Sequence, residues 1–269
     1  QIHSCRASRS IYNIGTIKSI YKTTGMEAAA NTTGAALNFD MGSQNIEAVG
    51  RSIGSFNLIN TVADCDILVN LCRLKTHALC EMTAAVKNMY GTIPGLVKAE
   101  FHARFPKRED FASMLIDLCR TAAPVINIVD AIICMEGNGP AGGTLKKVGA
   151  VIGGANPFAV DTLCAEIMGY KNSEVGTLEA ANKACVGFSS TDELIIAGDD
   201  YKPFVSEFKR PDGSAGGLFK QFPRFFGGRI GKMLEPKPYI NKNKCIGCGE
   251  CAGCCPVSTI KIKKGKAVI

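Results

Sequence analysis

The sequence contains no hydrophobic run that approaches the about 20 residues needed to span a membrane, and its longest apolar runs have the length of a strand. It also lacks internal repeats and low-complexity tracts. The first ten residues, QIHSCRASRS, contain neither an initiator Met nor the apolar core of a signal peptide, so no secretion signal is visible and residue 1 is not expected to be the native start. The short apolar runs indicate a soluble protein. A hydrophobic content of 46% permits a full-sized core in 269 residues, arranged as one large domain or two unequal ones.

Thirteen cysteines are present, and their distribution argues against a disulfide framework. Five of them fall within residues 245–255, and a single tight group of cysteines in an intracellular protein more often holds a metal. The other eight are scattered, mostly within apolar stretches, and are expected to be small core residues; they are Cys5, Cys65, Cys72, Cys80, Cys119, Cys134, Cys164 and Cys185. This usage predicts the reducing cytoplasm as the compartment.

Positive charge is concentrated in the last quarter of the chain. Residues 1–201 carry 17 Lys and Arg against 20 Asp and Glu, residues 202–244 carry 10 against 3, and residues 245–269 carry 4 against 1. Such an excess suits an acidic redox partner, an anionic membrane surface or nucleic acid, although a solvated linker explains it equally well. Because no recognised nucleic-acid motif accompanies the charge, we do not expect nucleic acid to be the partner.

Strand-like and helix-period segments alternate between residue 64 and about residue 199, which predicts an α/β fold with a largely parallel sheet covered by helices. The strand-like segments include CDILVNLC, VINIVDAIICM, KVGAVIGG and ELIIAG. Asn156 followed by Pro157 predicts a helix start. Upstream, we expect a helix near residues 16–24, followed by extended segments that end in SFNLIN.

A change of composition marks the expected domain boundary. Residues 202–238 are rich in Gly, Pro, Lys and Arg and show no sustained period, which predicts a linker. It would join an α/β domain, residues 1–201, to a small ferredoxin-like unit, residues 239–269. The latter contains an extended PYINKNK, the cysteine group, and STIKIKKGKAVI, which predicts two short strands around a Lys-Gly-Lys turn.

Four cysteines of the terminal group follow the spacing C-x2-C-x2-C-x3-C-P of bacterial ferredoxins, which bind [4Fe–4S] clusters. They are Cys245, Cys248, Cys251 and Cys255, followed by Pro256. Gly247 and Gly249 permit backbone amides to approach the sulfur atoms closely. Zinc and disulfides are the alternatives, but tetrahedral zinc sites usually join two cysteine pairs across a longer spacer. Cys254 lies outside the spacing.

The fourth ligand is a separate question, because in two-cluster ferredoxins the cysteine before the proline binds the other cluster. Only one motif is present here. Either Cys255 completes a single cluster, or a remote cysteine does so, or part of the protein is missing. We favour the last, since the sequence stops at GKAVI, where the first half of a ferredoxin would lead into its second. This sequence therefore predicts one cluster, and two if the chain is a fragment.

A second group of polar residues follows the strand ILVNLC. We expect RLKTHA to be a loop that leads into a helix carrying Thr83, Lys87 and Asn88, with Thr83 and Lys87 on one face. Ligands of open α/β sheets bind beyond the carboxyl ends of strands, where a helix N-terminus favours anions. We therefore predict a carboxylate or phosphate ligand held by Lys75 and Lys87, with His77 as acid or base. An ordinary surface cluster is the alternative.

The segment GNGPAG, residues 137–142, matches G-x-G-x-x-G after a strand, but the TLKKVGAVIGG that follows it is typical of a strand rather than a helix. We therefore expect a glycine-rich loop between strands instead of a dinucleotide site. Asp130, Glu136 and Asn138 on its approach are candidates to line the same crevice. Asp130 stands in an apolar strand, where a buried charge needs a partner. Asp161, near a helix start, is expected to favour the dipole of that helix.

Three segments together resemble the family called domain of unknown function 362: LVNLCRLKTHALCEMTAAVKNMYGTIPG, MEGNGPAGG and NPFAVDTLCAEIMG. With the ferredoxin-like C-terminus, the resemblance covers roughly residues 12–269. It implies a fusion of an α/β domain with ferredoxin modules, commonly with two cysteine motifs and a lysine-bearing N-terminal strand. This chain shows one motif and lacks that strand, which suggests a fragment. The family has no settled substrate, so the resemblance implies an architecture and a cofactor but no reaction.

Three functional hypotheses follow from the sequence. The leading one is an iron–sulfur oxidoreductase, in which a C-terminal cluster exchanges single electrons with an anionic-ligand site on the α/β domain or with a partner protein, expected to be acidic. The second is a non-redox ligand-binding protein with a structural cluster. The third is a racemase- or isomerase-like enzyme that uses Lys75, His77 and Lys87, since the loop and helix also resemble, over few residues, those of nickel-pincer lactate racemases.

Overall fold

The computed structural model describes residues 3–4, 14–140, 142–212, 240–243, 245–253 and 260–268 of the 269-residue chain. The chain divides into two compact units, Gln1–Ser214 and Ala215–Ile269. Most of the segment predicted to be a linker, from position 213 to 238, lies outside the described residues. The predicted domain boundaries therefore stay predictions.

Short elements make up the N-terminal part of the first unit. The strands are β1 (His3–Ser4), β2 (Ala36–Leu37), β3 (Ser43–Glu47) and β4 (Ser55–Ile59), and the helices are α1 (Ile14–Thr23), α2 (Met26–Thr33) and α3 (Asn60–Ala63). β1 pairs with β2 in parallel, and β3 pairs with β4 antiparallel. α1 confirms the helix predicted near residues 16–24, and β4 confirms the extended segment that ends in SFNLIN.

The main sheet of the first unit has four strands, β5 (Val69–His77), β6 (Glu81–Thr83), β7 (Ile126–Glu136) and β8 (Thr144–Gly154). They lie in the order β6-β5-β7-β8, and only β5 and β7 are parallel. The expectation of a largely parallel sheet is therefore wrong, while the α/β class is confirmed. The reason is local: residues 137–143 are too few for the crossover of about a dozen residues that parallel neighbours require, so β8 returns antiparallel.

The glycine-rich segment GNGPAG belongs to this β7–β8 connection, and a strand follows it, as predicted. The connection packs closely on β5. A Cβ on Gly139 would lie 2.0 Å from the carbonyl oxygen of Thr76, and the Thr76 hydroxyl donates to the Gly137 carbonyl at 2.8 Å. The glycine at position 139 is thus required by the approach of two backbone segments and not by a phosphate.

Five further helices belong to the described part of the first unit: α4 (Ala85–Asn88), α5 (Gly95–Arg104), α6 (Arg108–Ala122), α7 (Pro157–Ile167) and α8 (Gly176–Lys183). Of these, α4 and α7 pack directly on the main sheet. The predicted start of α7 is confirmed, because the Asn156 side chain accepts the N–H groups of Phe158 and Ala159 at 2.9 and 3.3 Å. The strand predicted in ELIIAG is wrong. That segment follows a short 3₁₀ helix, Thr191–Glu193, and Ile195 is fully exposed.

Two hydrophobic clusters form the core of the first unit. One joins β4, α4, α5 and α6 and includes Phe56 and Phe111, and the other lies between α7 and one face of the main sheet and includes Leu74 and Val129. Side chains alternate along β5, so Leu74 is buried whereas Leu71 is 70% exposed. This alternation continues through the residues between Arg73 and His77, which explains why that polar segment is a strand.

Five of the scattered cysteines are buried, as predicted: Cys72, Cys80, Cys119, Cys134 and Cys164. Burial raises the pKa of the Cys80 thiol to about 11 and holds that of Cys164 well above its usual range, so these thiols stay protonated and unreactive. The expectation is wrong for Cys65 and Cys185, which are exposed. Cys5 lies outside the described residues.

The described part of the second unit contains α9 (Glu250–Gly253) and the strands β9 (Lys261–Lys263) and β10 (Lys266–Val268). β9 and β10 pair antiparallel, which confirms the predicted hairpin. Its two-residue turn has positive φ at Lys264 (49°) and Gly265 (71°), the geometry that matches the twist of a hairpin. Among the described residues of both units, no helix is long and apolar enough to cross a membrane.

Candidate functional site

Three of the predicted cluster ligands lie in the described part of the second unit. Cys245 is half-buried, and Cys248 and Cys251 are exposed. The Cys245 sulfur accepts the backbone N–H of Ala267 on β10 at 3.3 Å. This bond, a second one from the Gly247 backbone and the nearby Lys266 lower the pKa of the Cys245 thiol. The hairpin therefore favours a thiolate at Cys245, the form that binds metal.

Gly247 joins the cysteine loop to the hairpin. It has a φ of 74°, and a Cβ there would lie 2.2 Å from the carbonyl oxygen of Gly265. On the other side of the contact, the Lys266 ammonium donates to the Cys245 carbonyl at 2.5 Å. Loop and hairpin thus form one packed structure, which sets the direction of the first cysteine.

The donor chemistry of this loop fits an iron–sulfur cluster. Thiolates that accept backbone N–H bonds are the ligands of such clusters, and these bonds tune their potential. Within the described residues, no three Cys, His, Asp or Glu side chains stand close enough together to hold a metal ion. Cys254, Cys255 and Pro256 lie outside the described residues, so the predicted fourth ligand stays a prediction.

In the first unit, the segment predicted to be a loop is part of a hairpin. β5 continues through RLKTH to His77, and β6 returns so that Lys75 stands opposite Thr83 and His77 opposite Glu81. Thr83 therefore belongs to a strand, and the expectation that it shares a helix face with Lys87 is wrong. The physical reason is that Leu74 and Met82 on the other face of this hairpin fill the core beneath α7.

His77 and Lys87 are both only 8% exposed. The Nδ1 atom of His77 accepts the N–H groups of Leu79 and Cys80 at 3.1 and 3.3 Å, so the neutral ring carries its proton on Nε2. The Lys87 ammonium lies 5.6 Å from the centre of the Tyr90 ring. The structure thus buries the imidazole and ammonium that the sequence singled out, while Lys75 is half-buried.

Glu81 is a site residue that the sequence analysis missed. Glu81 is 5% exposed and has a φ of 57°. It is the central residue of a tight turn, in which the N–H of Met82 donates to the carbonyl of Cys80 at 2.6 Å. This tight turn is rare and strained for a residue with a side chain, and such strain is concentrated at functional sites. Nothing in EMTAAV distinguishes it, because the segment has helical composition.

Burial raises the pKa of the Glu81 carboxyl to about 7, against the opposing pull of Arg108 and Arg210. The Arg108 Nη2 atom lies 3.1 Å from Glu81 Oε2, an ion pair without hydrogen-bond geometry. Arg108 also donates to the carbonyl of Glu174. A carboxyl with this pKa exchanges its proton near neutral pH, which is the requirement for acid–base chemistry.

Two buried hydroxyls near Glu81 stand out. Thr83 and Tyr170 are 5% and 3% exposed, and neither hydroxyl has a hydrogen-bond partner within the described part of the chain. The Arg210 guanidinium stacks 4.4 Å from the Tyr170 ring and bonds Glu174 at 3.1 Å. Because buried polar groups are nearly always bonded, each of these hydroxyls is a position where a water or a ligand atom would bond.

The structure gives two of the other predicted residues partners of their own. The Asn88 amide donates to the Asn70 side chain at 2.8 Å. Asp130 is half-buried, and its carboxylate bonds Arg73 on the neighbouring strand, at 2.9 Å from Nη2. The partner that a charge in this apolar strand needs is therefore Arg73.

Glu136 and Asn138 contact the segment that follows the last 3₁₀ helix, Lys202–Phe204. Glu136 accepts the N–H of Lys209 at 3.0 Å. Asn138 exchanges two bonds with Asp212, at 2.8 and 2.7 Å. These two side chains thus hold residues 209–212 on the β7–β8 connection, whereas Lys75, His77 and Thr83 share the hairpin with Glu81.

Asp161 acts on a different helix from the expected one. It is 1% exposed, and its carboxyl accepts the N–H groups of Ala85 and Val86 at 2.6 and 3.2 Å. It therefore caps α4, the short helix that carries Lys87, rather than favouring the dipole of its own helix. Burial raises the pKa of the Asp161 carboxyl to about 7, although the two backbone bonds act in the opposite direction.

Comparison with known proteins gives the family. The sequence model of the family described as "Domain of unknown function (DUF362)" matches residues 6–166, more than half of the chain. The chain belongs to the DUF362 family. The expected membership is thereby confirmed, with a matched region that ends at the close of α7.

The DUF362 chain is 33% identical over 133 residues to a thylakoid-associated protein of Synechocystis sp., covering 49% of this chain and 41% of that protein. Its C-terminal part is 52% identical over 29 residues to ferredoxin-2 of Desulfomicrobium norvegicum, covering 11% of this chain and 49% of the ferredoxin. The chain thus spans less than half the length of both relatives. No solved structure matches it. The ferredoxin match suggests an iron–sulfur cluster in the C-terminal part.

Proposed function

We propose that this DUF362 chain is an iron–sulfur protein that transfers single electrons through a C-terminal [4Fe–4S] cluster and couples this transfer to an anionic-ligand site on its α/β unit. One observation carries the proposal. The Cys245 sulfur accepts the Ala267 N–H from a hairpin that packs on the cysteine loop, within a spacing found in ferredoxins.

The cluster would be held by Cys245, Cys248, Cys251 and Cys255, and the chain supports one such site by its single motif. A bound cluster supplies reversible one-electron chemistry. The protein's part is to hold the thiolates: Gly247 permits the close contact with Gly265, and the backbone N–H groups of Gly247 and Ala267 offset negative charge on sulfur.

The ligand site would lie on the β5–β6 hairpin, where Lys75, His77, Glu81 and Thr83 form two facing pairs. The buried hydroxyls of Thr83 and Tyr170 support a ligand with hydrogen-bonding oxygens. The nearby positive side chains, Lys75, Lys87, Arg108 and Arg210, favour a negatively charged ligand. A carboxylate or a phosphate has both the negative charge and the hydrogen-bonding oxygens. The Asp161 cap supports the site indirectly by fixing the helix of Lys87.

Replacing Lys87 by glutamine should weaken the binding of phosphate or acetate by about tenfold or more, since a bond to a charged group contributes about 1.5–3 kcal/mol. Lys98→Gln is the matched control, because its ammonium lies 6.0 Å from the same Tyr90 ring, and its affinity should stay close to native. Calorimetric titration of the full chain measures both. Equal affinities in the native chain and Lys87→Gln would remove Lys87 from the proposed site.

Stepwise reduction of the anaerobically prepared chain tests the electron-transfer role. We expect reversible bleaching of the visible absorption and a paramagnetic signal that integrates to one spin per cluster. A cluster that remains oxidised at every accessible potential would contradict this role. It would leave the cluster as a structural element of a ligand-binding protein.

A second candidate function is favoured by the His77–Glu81 pair. The two residues face each other across the hairpin, and the Glu81 carboxyl has a pKa of about 7. A buried carboxyl that exchanges its proton near neutral pH, opposite a buried imidazole, suits the transfer of a proton to and from carbon, as in racemases and isomerases. A redox-silent cluster in the reduction experiment would exclude electron transfer and leave both this candidate and the ligand-binding role.

A further inference from the structure

The β9–β10 hairpin of the second unit carries four lysines within six positions. Lys261, Lys263 and Lys264 are exposed, and Lys266 is half-buried. Residues 215–269 together contain 11 Lys and Arg against 2 Asp and Glu, so the hairpin belongs to a strongly basic unit. We call the side chains of these four lysines the lysine face.

Hairpin stability does not account for the lysine face. Lys263 stands directly opposite Lys266, and Lys261 shares the strand face of Lys263 because it lies two positions away. Like charges directly opposite each other destabilise a strand pair. Lysine on an exposed edge also opposes edge-to-edge pairing of strands, but four lysines within six positions, two of them directly opposite each other, also form a concentrated positive surface that attracts an anionic partner.

The lysine face lies on the element that contacts the cysteine loop. Ala267, between Lys266 and Val268 on β10, donates its N–H to the Cys245 sulfur, and the Lys266 ammonium bonds the Cys245 carbonyl. Ile246, next to Cys245 in the loop, is 86% exposed, whereas Ile262 is 40% exposed on the strand face opposite that of Lys261 and Lys263. An exposed apolar side chain beside charges of one sign is typical of transient docking surfaces.

We propose that the lysine face docks an acidic electron-transfer protein against the cysteine loop. This inference rests on the proposed cluster and adds the kind of partner. In the reaction, one electron leaves the reduced carrier of the partner, which is oxidised, and the cluster is reduced by one electron; no bond forms or breaks. A protein is favoured over insertion into a membrane because, among the described residues next to Cys245, the exposed apolar side chain is Ile246, which is too little to insert a hairpin into lipid.

Reduced flavodoxin, an acidic one-electron carrier, is the probe, and its rate of electron transfer to the full anaerobic chain is followed by stopped flow. The test variant is Lys261→Gln/Lys263→Gln/Lys264→Gln, which spares Lys266 because its ammonium bonds the loop. The control variant, Lys18→Gln/Lys22→Gln/Lys202→Gln, removes three exposed positive charges from the first unit. Iron, sulfide and the rate of reduction by an uncharged viologen are measured in all three proteins.

The native rate should fall steeply with added salt, and the test variant should be about tenfold slower at low salt with little salt dependence. The control variant and the viologen rates should stay close to native. If the test variant contains iron and accepts electrons from flavodoxin at the native rate, the docking inference is wrong, whereas the proposed cluster stands. The docking inference is also wrong if the native chain binds phosphatidylglycerol vesicles and the test variant loses this binding but keeps the native flavodoxin rate. A native chain without iron and sulfide overturns the proposed cluster and this inference with it.

Discussion

Replacing Cys248 by serine should remove most of the iron and sulfide from the anaerobically prepared chain. A soft thiolate is exchanged for a hard hydroxyl that stays protonated, and iron–sulfur clusters select thiolates. Substitution of a residue that merely hydrogen-bonds a metal ligand already lowers the affinity for the metal by about 10–100-fold. Loss of a ligand itself should therefore lower the affinity for the cluster by more than about tenfold. Iron and acid-labile sulfide per chain measure the effect.

Cys185→Ser is the matched control for this prediction. Cys185 is exposed like Cys248, but it lies in the first unit and outside the ferredoxin spacing. Its substitution should leave iron and sulfide unchanged. If both variants lose the same amount, or if neither loses any, Cys248 is not a ligand and the assignment of the motif is wrong.

Replacing Asp161 by alanine should lower the free energy of unfolding of the first unit by about 3 kcal/mol. The substitution leaves two buried N–H groups, those of Ala85 and Val86, without their acceptor, and each unpaired buried group costs about 1–3 kcal/mol. Because α4 has only four residues, it has little stability of its own without this cap. Denaturant unfolding measures the change, and a native midpoint in Asp161→Ala would contradict it.

The pH dependence of Asp161→Asn provides a second readout. The pKa of the Asp161 carboxyl is 3.8 in a model compound and about 7 in the folded chain, so the folded state binds this proton more tightly than the unfolded state. The resulting stabilisation is complete below pH of about 4 and is lost as the pH rises through about 7. Asparagine keeps one acceptor and never ionises. The difference in free energy of unfolding between the native chain and Asp161→Asn should therefore become smaller as the pH rises from about 4 to about 7. A difference that grows over this range would contradict the burial of this carboxyl.

The features that the sequence predicted well depend on neighbouring residues. Asn156, followed by Pro157, starts a helix by bonds that span two and three positions, and the Lys-Gly-Lys turn closes a hairpin between adjacent strands. The expectation that the Gly247 amide approaches a cysteine sulfur is equally local, and the bond of that amide to Cys245 confirms it. Such patterns specify structure without knowledge of the remaining fold.

The features that the sequence analysis missed depend on contacts across long separations. Asp161 caps α4, which begins 76 positions earlier in the chain. Arg108, on α6, approaches Glu81 on strand β6. The polar run from Arg73 to His77 was interpreted as a loop because its strand character comes from pairing with β6 and β7. Local composition contains no information on these partners, so the position of Glu81 opposite His77 could be found only from the structure.

Counting iron and acid-labile sulfide in this 269-residue chain, prepared without oxygen, is the direct test of the proposed cluster. We expect a brown protein with iron and sulfide in equal amounts, about four of each for the single motif. A colourless preparation without sulfide, or one that holds a single zinc ion at the four cysteines, would contradict it.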